Sequence, residues 1–370
     1  MKISVEKDEL QKRLSNIQGV VERNNSMRIL NHFLLDVSKE GSYTIATDLE
    51  TAFQEPISVE VVEEGKICIP AKKLFEIVKE MEGQIALESE DPQWLKVRSG
   101  KSLFRLACLS SDNYPACPSI EGAEEMEIEA PMLLQMIDRS LYTAGSSHDH
   151  KYFLNGLLFH MKTDGTYIVV GTDGFRLAMQ TKQTGLSFKE ERKVMLSKKS
   201  VSELRRLLSG KTIEESPTVS MTIGKNHVLF NIGKAKFLTK LIEGAYPNYE
   251  AVIPTNNTKI LTAARGTLMK SLKRASIMSK EGISTVKVNI ENGKAVVSAN
   301  SDLGEATDEI AVDYAGDQMT IAFNARYILD ALNVITSENV LIKLNEPLSP
   351  ILLMEDGRED YKCVVMPMRF

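Results

Sequence analysis

The chain has 370 residues, of which 43% are hydrophobic and 26% are charged. This balance is ordinary for a globular protein and excludes disorder and fibrous repeats, and the length predicts two to three domains. The net charge of −5 gives no overall basic surface for nucleic acid, and no run approaches the roughly 18 apolar residues of a membrane span. We therefore expect no signal peptide and no transmembrane helix, and a cytoplasmic location.

Helical and strand-like segments alternate from the N-terminus onwards. The first helix is predicted over 7–23 and the second over 71–82, where apolar residues recur at i, i+3, i+4 and i+7 from Leu74. Between them a strand-like run ends at Thr47-Asp48. Later helices follow the same rules, and they are predicted over 131–139, 198–206, 265–281 and 325–333.

The order of these elements repeats three times along the chain. Leu74, Val201 and Ile328 open equivalent helices and are separated by 127 and 127 residues. Thr172-Asp173 follows Thr47-Asp48 by 125 residues, and Tyr246-Pro247 follows Tyr114-Pro115 by 132. A 127-residue separation shared by the three helices, with the other landmarks in the same order, indicates a tandem repeat.

Two short connectors separate the repeats. Residues 119–127 are acidic and contain glycine, and residues 253–259 are rich in turn-forming residues. We predict an α+β fold of three tandem domains, each with two helices and roughly eight strands, over residues 1–121, 128–250 and 256–370.

Charge is unequally divided between the helices and the rest of the chain. The six helical segments carry a net charge of +8, and the remainder carries −13. Lysines on a single helix often only keep its outer face soluble. Across six helices, the contrast favours a protein that meets phosphates on one inner surface without reading base sequence.

Catalytic and metal-binding motifs are mostly excluded by spacing. The sequences at Gly100-Lys101-Ser102 and Gly210-Lys211-Thr212 resemble phosphate-binding loops but lack the required earlier glycine. His148 and His150 have no third ligand at a suitable spacing, so a polar loop is expected rather than a metal site. The four cysteines are expected to be reduced thiols, and we predict no metal and no cofactor.

Asp48 and Asp173 leave an alternative open. Both follow strand-like runs, so they could serve as acid and base in a multidomain hydrolase or transferase. The favoured interpretation is that they cap turns of a repeated hairpin.

Three motifs carry a family resemblance over the whole chain. Tyr152-Phe-Leu-Asn-Gly-Leu-Leu-Phe159, Gly171-Thr-Asp-Gly-Phe-Arg-Leu-Ala178 and Val364-Val-Met-Pro-Met-Arg-Phe370 resemble the bacterial sliding clamps, the β subunits of DNA polymerase III. The resemblance implies the DNA clamp fold and a head-to-tail homodimer whose six domains form a ring around double-stranded DNA. It implies a non-catalytic processivity factor for DNA replication, with no sequence specificity.

The resemblance also implies a dimer interface. Phe104 would meet Ile277 and Met278 of a second copy, although all three could instead be core residues. Unlike charges flank these positions, with basic residues in the first domain and acidic residues in the third, and a contact between unlike patches that closes after two copies makes a ring. These charges are Lys96, Arg98, Lys101 and Arg105, and Asp302, Glu305, Asp308 and Glu309.

Two further sets of residues follow from the resemblance. The expected DNA contacts are Arg23, Lys72, Lys73, Lys151, Tyr152, Phe153, Lys198, Lys199 and Arg205. A groove between domains two and three would receive short motifs with glutamine and hydrophobic anchors from the replicative polymerase α subunit, the clamp loader, other polymerases and repair proteins. Its wall would be Thr172, Gly174, Phe175, Arg176, Leu177, Pro247, Val252, Leu348, Pro350, Val364, Met366, Pro367, Met368 and Arg369. Methionine-rich apolar surfaces suit several partners.

Overall fold

The structure is a computed structural model that describes residues 1–21, 27–118, 120, 124–145, 154–185, 188–210, 217–280 and 284–369. Six α-helices lie in these ranges: α1 Lys7–Ile17, α2 Ala71–Lys79, α3 Ala130–Ser140, α4 Lys198–Leu208, α5 Arg265–Ser276 and α6 Ala325–Val334. Each begins where the sequence predicts a helix.

The strands of the first repeat are β1 Lys2–Glu6, β2 His32–Val37, β3 Tyr43–Thr47, β4 Thr51–Pro56, β5 Glu60–Glu63, β6 Gly65–Pro70, β7 Gln84–Asp91, β8 Trp94–Ser99 and β9 Ser102–Ala107. Those of the second are β10 Glu124–Glu129, β11 Gly156–Met161, β12 Thr166–Thr172, β13 Arg176–Gln183, β14 Arg192–Ser197, β15 Thr218–Ile223, β16 His227–Ile232 and β17 Ala235–Lys240. Those of the third are β18 Lys259–Ala264, β19 Thr285–Glu291, β20 Lys294–Ser301, β21 Gly304–Ala311, β22 Met319–Asn324, β23 Asn339–Leu344, β24 Ile351–Glu355 and β25 Tyr361–Val365.

The chain forms two compact units whose boundaries run through the second repeat. Unit 1 contains Met1–Leu133 and Ser202–Leu241. Its five-stranded antiparallel sheet has the order β5-β1-β7-β8-β9, and its eight-stranded sheet has the order β10-β15-β16-β17-β4-β3-β2-β6. In the larger sheet β17 of the second repeat pairs with β4 of the first, so hydrogen bonds continue across the repeat boundary.

Unit 2 contains Leu134–Val201 and Ile242–Phe370. Its eight-stranded sheet has the order β14-β11-β12-β13-β25-β24-β23-β18, and its four-stranded sheet has the order β21-β20-β19-β22. Here β13 of the second repeat pairs with β25 of the third, which places the end of the chain beside the start of β13.

The helices bury their apolar faces, as their periodicity predicts. In unit 1, α1 packs on α2 and buries Leu10, Leu14 and Ile17. In unit 2, α5 and α6 pack together over a core that contains Leu272 and Ile328. Burial of such side chains contributes roughly 1.5–3 kcal/mol each, which is why the 3.6-residue pattern marks these helices so clearly.

The helices α1, α2 and α5 end earlier than predicted. We expected α1 to extend to residue 23, but its last residue is Ile17. Two residues later, the backbone of Gly19 lies close to Glu203: a Cβ atom on Gly19 would lie 1.9 Å from a carboxylate oxygen of that residue. At the last residue of α5, Ser276 Oγ donates to the Lys273 carbonyl group, which satisfies a terminal acceptor. The apolar period reveals neither of these contacts.

Candidate functional site

Asp48 and Asp173 cap equivalent turns. The Asp48 carboxylate accepts hydrogen bonds from the backbone N–H groups of Glu50 (2.9 Å) and Thr51 (2.6 Å). The Asp173 carboxylate accepts them from Phe175 and Arg176, both at 3.0 Å. The turn-capping interpretation is confirmed, because Oδ1 of each aspartate accepts two backbone N–H groups of its own turn.

Several expected DNA contacts lie on exposed positions of α2 and α4. Lys72, Lys73, Lys199 and Arg205 are exposed, and Lys73 pairs with Glu76 at 2.6 Å. Lys198 is half-buried, and its ammonium group donates to the Ala144 carbonyl group at 2.8 Å. Lys198 therefore has a structural contact in addition to any role at a phosphate.

Other basic helix residues serve the fold. The Arg13 guanidinium lies 2.8 Å from Glu55, and Arg139 is buried against Glu355. Arg206 pairs with Glu203 at 2.9 Å and donates to backbone carbonyl groups near the end of α1. The net charge of the helices thus overstates the charge available to DNA, because the sequence does not distinguish exposed arginines from buried ones.

Four expected DNA contacts lie outside the described residues. These are Arg23, Lys151, Tyr152 and Phe153, and His148 and His150 lie outside them as well. Among the described residues no group of three or more His, Cys, Asp or Glu side chains is arranged to hold a metal ion. None of the helices in the described ranges is both long and apolar enough to span a membrane.

The expected groove wall consists of exposed apolar side chains from several loops of unit 2. The turn between β12 and β13 carries Phe175, which is 62% exposed, after Gly174, whose φ of 89° favours glycine. The C-terminal segment lies beside this turn, since the Met366 N–H group donates to the Phe175 carbonyl group at 2.9 Å. Val252, Leu348 and Met366 are also exposed.

The remaining groove residues divide into wall and floor. Pro247 and Arg369 are exposed and Pro350, Pro367 and Met368 are half-buried. The Met368 N–H group donates to the Ala322 carbonyl group at 2.7 Å, which fixes the C-terminal segment against β22. Thr172, Leu177 and Val364 are buried, and the last two belong to an apolar cluster beneath the wall. They support the groove rather than line its surface.

The Arg176 side chain is held by two carboxylates. Its guanidinium lies 3.0 Å from Asp173 and 2.6 Å from Asp330 of α6. It also stacks over Tyr142 and Tyr327, and hydrogen bonds to both carboxylates keep its pKa raised despite burial. These groups line a polar cavity of about 740 Å³ that also contains Lys198. Arg176 therefore connects the groove turn to the third repeat, a role that its position in the motif does not reveal.

Two unpaired sheet edges carry the expected interface residues. β9 is an edge strand in unit 1 and exposes Phe104, and β21 is an edge strand in unit 2, near exposed Ile277. The alternative that these are core residues is wrong for both, and Met278 is half-buried. Leu103 and Leu303 are exposed at the same edges, Leu303 by 86%. Neither leucine was predicted from the sequence, although the adjacent apolar pair Leu103-Phe104 among charged residues was a usable signal.

Charges beside these edges are partly neutralised within the chain. Lys96 and Arg105 both pair with Glu90, and Arg274 lies 2.6 Å from Asp308. The Arg274 guanidinium beside Asp308 holds the pKa of that carboxyl below its usual value. Arg98 and Lys101 on one edge, and Asp302 and Glu305 on the other, remain exposed.

Comparison with known proteins covers the whole chain. Family models for the DNA polymerase III beta subunit match its N-terminal domain at residues 1–118, its central domain at 127–248 and its C-terminal domain at 250–369. The beta sliding clamps of Pseudomonas putida and Escherichia coli are each 32% identical to it, with full coverage of both chains. A crystal structure of the DNA polymerase sliding clamp from Pseudomonas aeruginosa with ligand superposes with a TM-score of 0.93 at 32% identity, again with full coverage of both chains.

These matches agree with the three-repeat α+β architecture and with the clamp resemblance of the sequence motifs. Matching family models extend over nearly every residue, and identities above 30% are sustained along full-length relatives. The chain therefore belongs to the DNA polymerase III beta subunit family, the bacterial sliding clamps.

Proposed function

We propose that this clamp performs its processivity role as a head-to-tail homodimer that closes around double-stranded DNA in the cytoplasm. The ring would have no catalytic turnover and no cofactor. It would hold the replicative polymerase α subunit, the clamp loader, other polymerases and repair proteins through the groove of unit 2. A closed ring keeps a tethered polymerase on its template by topology rather than by affinity.

The two edge strands carry this proposal. An edge exposes a row of unpaired backbone N–H and C=O groups, and proteins usually protect such edges. Here β9 and β21 instead present apolar side chains, Phe104 and Leu103 on one and Leu303 beside the other. Pairing β9 of one copy with β21 of the next would satisfy both edges, and two such contacts would close a ring.

The DNA contacts are proposed to be weak and sequence-independent. Exposed lysines and arginines on α2 and α4 can attract phosphates through water, which permits sliding because no base is read. Lys72, Lys73, Lys199 and Arg205 are the described candidates, with Lys198 as a partly structural member. Arg23, Lys151, Tyr152 and Phe153 remain part of the proposal.

The groove is proposed to bind short segments with apolar anchors. Phe175, Val252, Leu348 and Met366 present separate exposed apolar side chains on a fixed scaffold. A few anchors at roughly 2 kcal/mol each would give micromolar, exchangeable binding. Such affinity suits a clamp that passes from one partner to the next.

Ring formation is tested by light scattering and by retention on DNA. We expect a solution mass near twice 41.2 kDa and, after loading onto nicked circular DNA, loss of the protein when the circle is linearised. Phe104→Asp should give monomers that are not retained. A monomeric wild-type protein, or equal retention on circular and linear DNA, would overturn the ring.

The DNA-facing role of α4 is tested with Lys199→Glu. Reversing this charge should shorten retention on circular DNA, and most strongly at low salt, because the contact is electrostatic. Lys225→Glu, which makes the same charge change at an exposed turn between β15 and β16, serves as the control. Equal retention of the two variants would exclude a role for Lys199.

The groove is tested with Met366→Asp and with removal of residues 366–370. Both should abolish binding of the polymerase α subunit while the dimer persists, because neither change touches β9 or β21. The point variant keeps the backbone contact to Phe175. Processive synthesis with either variant would contradict the groove assignment.

A further inference from the structure

The segment that joins the second and third repeats supplies one side of the groove. It carries Pro247 and Val252, and it is attached to the underlying sheet by two tyrosines. The Tyr246 hydroxyl donates to the Val170 carbonyl group at 3.3 Å. The same bond occurs after the first repeat, where the Tyr114 hydroxyl donates to the Ile45 carbonyl group at 3.1 Å. This first attachment is therefore a general feature of the repeat.

The second attachment joins Tyr249 to a buried histidine. Tyr249 is 4% exposed, and its hydroxyl lies 2.7 Å from Nδ1 of His160 on β11, which is 2% exposed. The other ring nitrogen, Nε2, lies 2.7 Å from the Glu191 carboxylate. The two rings meet edge to face at 5.9 Å, and the Tyr249 ring packs in the cluster that contains Leu158 and Met195.

This second attachment is not repeated after the first repeat. His160 pairs with Lys193 across β11 and β14, and the equivalent pair across β2 and β6 is Asp36 with Lys66. Asp36 there forms an exposed ion pair with Lys66 at 2.8 Å. Tyr249 stands two residues after Pro247, and the residue at the corresponding position after Pro115 is Cys117. The histidine–tyrosine pair thus belongs to the segment that carries the groove wall, and the general fold does not require it.

We propose that His160 is a positioning residue of the partner groove, which holds Tyr249 and thereby fixes the distance of Pro247 and Val252 from the groove floor. The proposal rests on the function proposed above for the groove. Tyr249 lies in sequence between Pro247 and Val252, so its hydroxyl attaches the part of the segment between these two wall residues to the sheet. Without this bond the segment retains Tyr246 and the exposed Lys162–Glu250 pair.

The roles of the two ring nitrogens follow from their neighbours. The charged groups around His160 are Glu191, Lys193, Lys162 and, through Tyr249, Glu250. Burial lowers the pKa of His160 against the opposing effect of Glu191, which favours the neutral ring. A carboxylate only accepts hydrogen bonds, so Nε2–H donates to Glu191. The single Tyr249 hydroxyl proton goes to Nδ1 at 2.7 Å, since Glu250 is the more distant acceptor at 3.3 Å.

Two amide substitutions separate these roles. Asparagine places a polar atom near the position of Nδ1, and glutamine places one near Nε2. We therefore expect His160→Asn to bind a synthetic peptide with one glutamine and two leucine anchors about as well as the wild type. His160→Gln and Tyr249→Phe should each bind it about tenfold more weakly, and the double variant should lose no more than either single variant. Isothermal calorimetry on the intact protein measures all four.

Controls distinguish failure of this inference from failure of the groove. Asp36→Asn, at the equivalent place in unit 1, should leave peptide binding unchanged, and Met366→Asp should abolish it. If Met366→Asp abolishes binding but the asparagine and glutamine variants bind equally, whether tightly or weakly, the positioning role of Nδ1 is wrong. If the wild type does not bind the peptide, or Met366→Asp still binds it, the proposed function of the groove fails instead. Tyr249→Phe retains its ring in the apolar cluster, so it tests the hydroxyl even if a His160 variant does not fold.

Discussion

The two eight-stranded sheets each join neighbouring repeats, β4 to β17 in unit 1 and β13 to β25 in unit 2, but their buried charges are organised differently. In unit 1, the buried carboxylate of Glu55 on β4 is held by Arg13 at 2.8 Å and Asn16 at 3.0 Å, both on α1 of the same repeat. Its other oxygen, Oε1, finds no hydrogen-bond partner among the described residues. Burial therefore outweighs these contacts and raises the pKa of Glu55.

In unit 2, the corresponding charges lie on different repeats. Gln180 stands 125 residues after Glu55, and the buried carboxylate is Glu355 of the third repeat. Arg139 of the second repeat reaches it with two hydrogen bonds of 3.0 Å and also donates to Gln180 at 3.1 Å. Burial opposes ionisation of Glu355, but bonds from Thr336 and Arg139 outweigh it and lower its pKa.

This difference indicates which contacts hold the repeats together. The Arg13–Glu55 pair stabilises one repeat, whereas the Arg139–Glu355 pair fastens the second repeat to the third. The proposed groove lies at the latter junction, and the residues expected in its wall come from both repeats. A bidentate buried pair fixes geometry between two bodies, and a groove assembled from two repeats needs such a constraint.

Breaking the inter-repeat pair should have the largest effect. Arg139→Met removes both hydrogen bonds of the buried Arg139–Glu355 pair and leaves Glu355 with the more distant and more exposed Arg358, 3.6 Å away. Loss of one partner costs about 3–5 kcal/mol in comparable buried pairs. We expect the amides of β13 and β25 to lose about that much protection free energy in native-state hydrogen exchange. Arg139→Met combined with Glu355→Leu should recover most of it, because no unpaired charge remains. Unchanged protection in the single variant would contradict the comparison.

Arg13→Met is the matched change in unit 1, and its expected effect is smaller. Glu55 already has a raised pKa and can take up a proton, and Asn16 still donates to it. We expect a loss of about 1–2 kcal/mol of protection at β4 and β17. A loss as large as that of Arg139→Met would show that the two carboxylates are held equally.

Lowering the pH should change the stability of the two junctions in opposite directions. The folded-state pKa of Glu355 lies below its usual value near 4.5, so its stabilisation is complete above that value and is lost as the pH falls. The folded-state pKa of Glu55 lies above its usual value, so its contribution is complete at low pH and is lost as the pH rises. Hydrogen exchange between pH 7 and 4, corrected for intrinsic rates, should show weaker protection of β13–β25 and stronger protection of β4–β17. Parallel trends would refute the assigned charge states.

The sequence predicted the parts of this molecule that depend on local periodicity. The three repeats, the starts of all six described helices and the two capping aspartates follow from apolar spacing and from turn chemistry. The roles of Arg139 and Arg176 did not follow, because a basic residue on a helix has the same appearance whether it meets water or a carboxylate 216 residues away, as Arg139 does. The exposed edges of β9 and β21 were equally hidden, since strand order depends on pairing between distant segments.

The repeated turns after β3 and β12 differ at a single backbone position, and here the expected change in stability is the smallest. Leu49 has a φ of 76° and Gly174 a φ of 89°, so one turn places a leucine where the other places glycine. A side chain in this conformation costs roughly 1–2 kcal/mol, partly offset by the greater freedom of glycine in the unfolded chain. Leu49→Gly should therefore raise stability by about 0.5 kcal/mol, and Gly174→Ala should lower it by about 1 kcal/mol.

Free space around Gly174 separates backbone strain from steric clash. A Cβ atom at Gly174 would have no neighbour within 4 Å, so any loss in Gly174→Ala reports backbone conformation rather than a clash. Asparagine tolerates the left-handed region and, unlike glycine, does not add conformational freedom to the unfolded chain. The free energy of unfolding of Leu49→Asn should therefore be at least as high as that of Leu49→Gly. Urea unfolding followed at both units measures these small differences. If Leu49→Asn is less stable than the wild type, the contacts of the exposed Leu49 side chain contribute more free energy than its backbone conformation costs. The two turns would then be equivalent only in their capping aspartates.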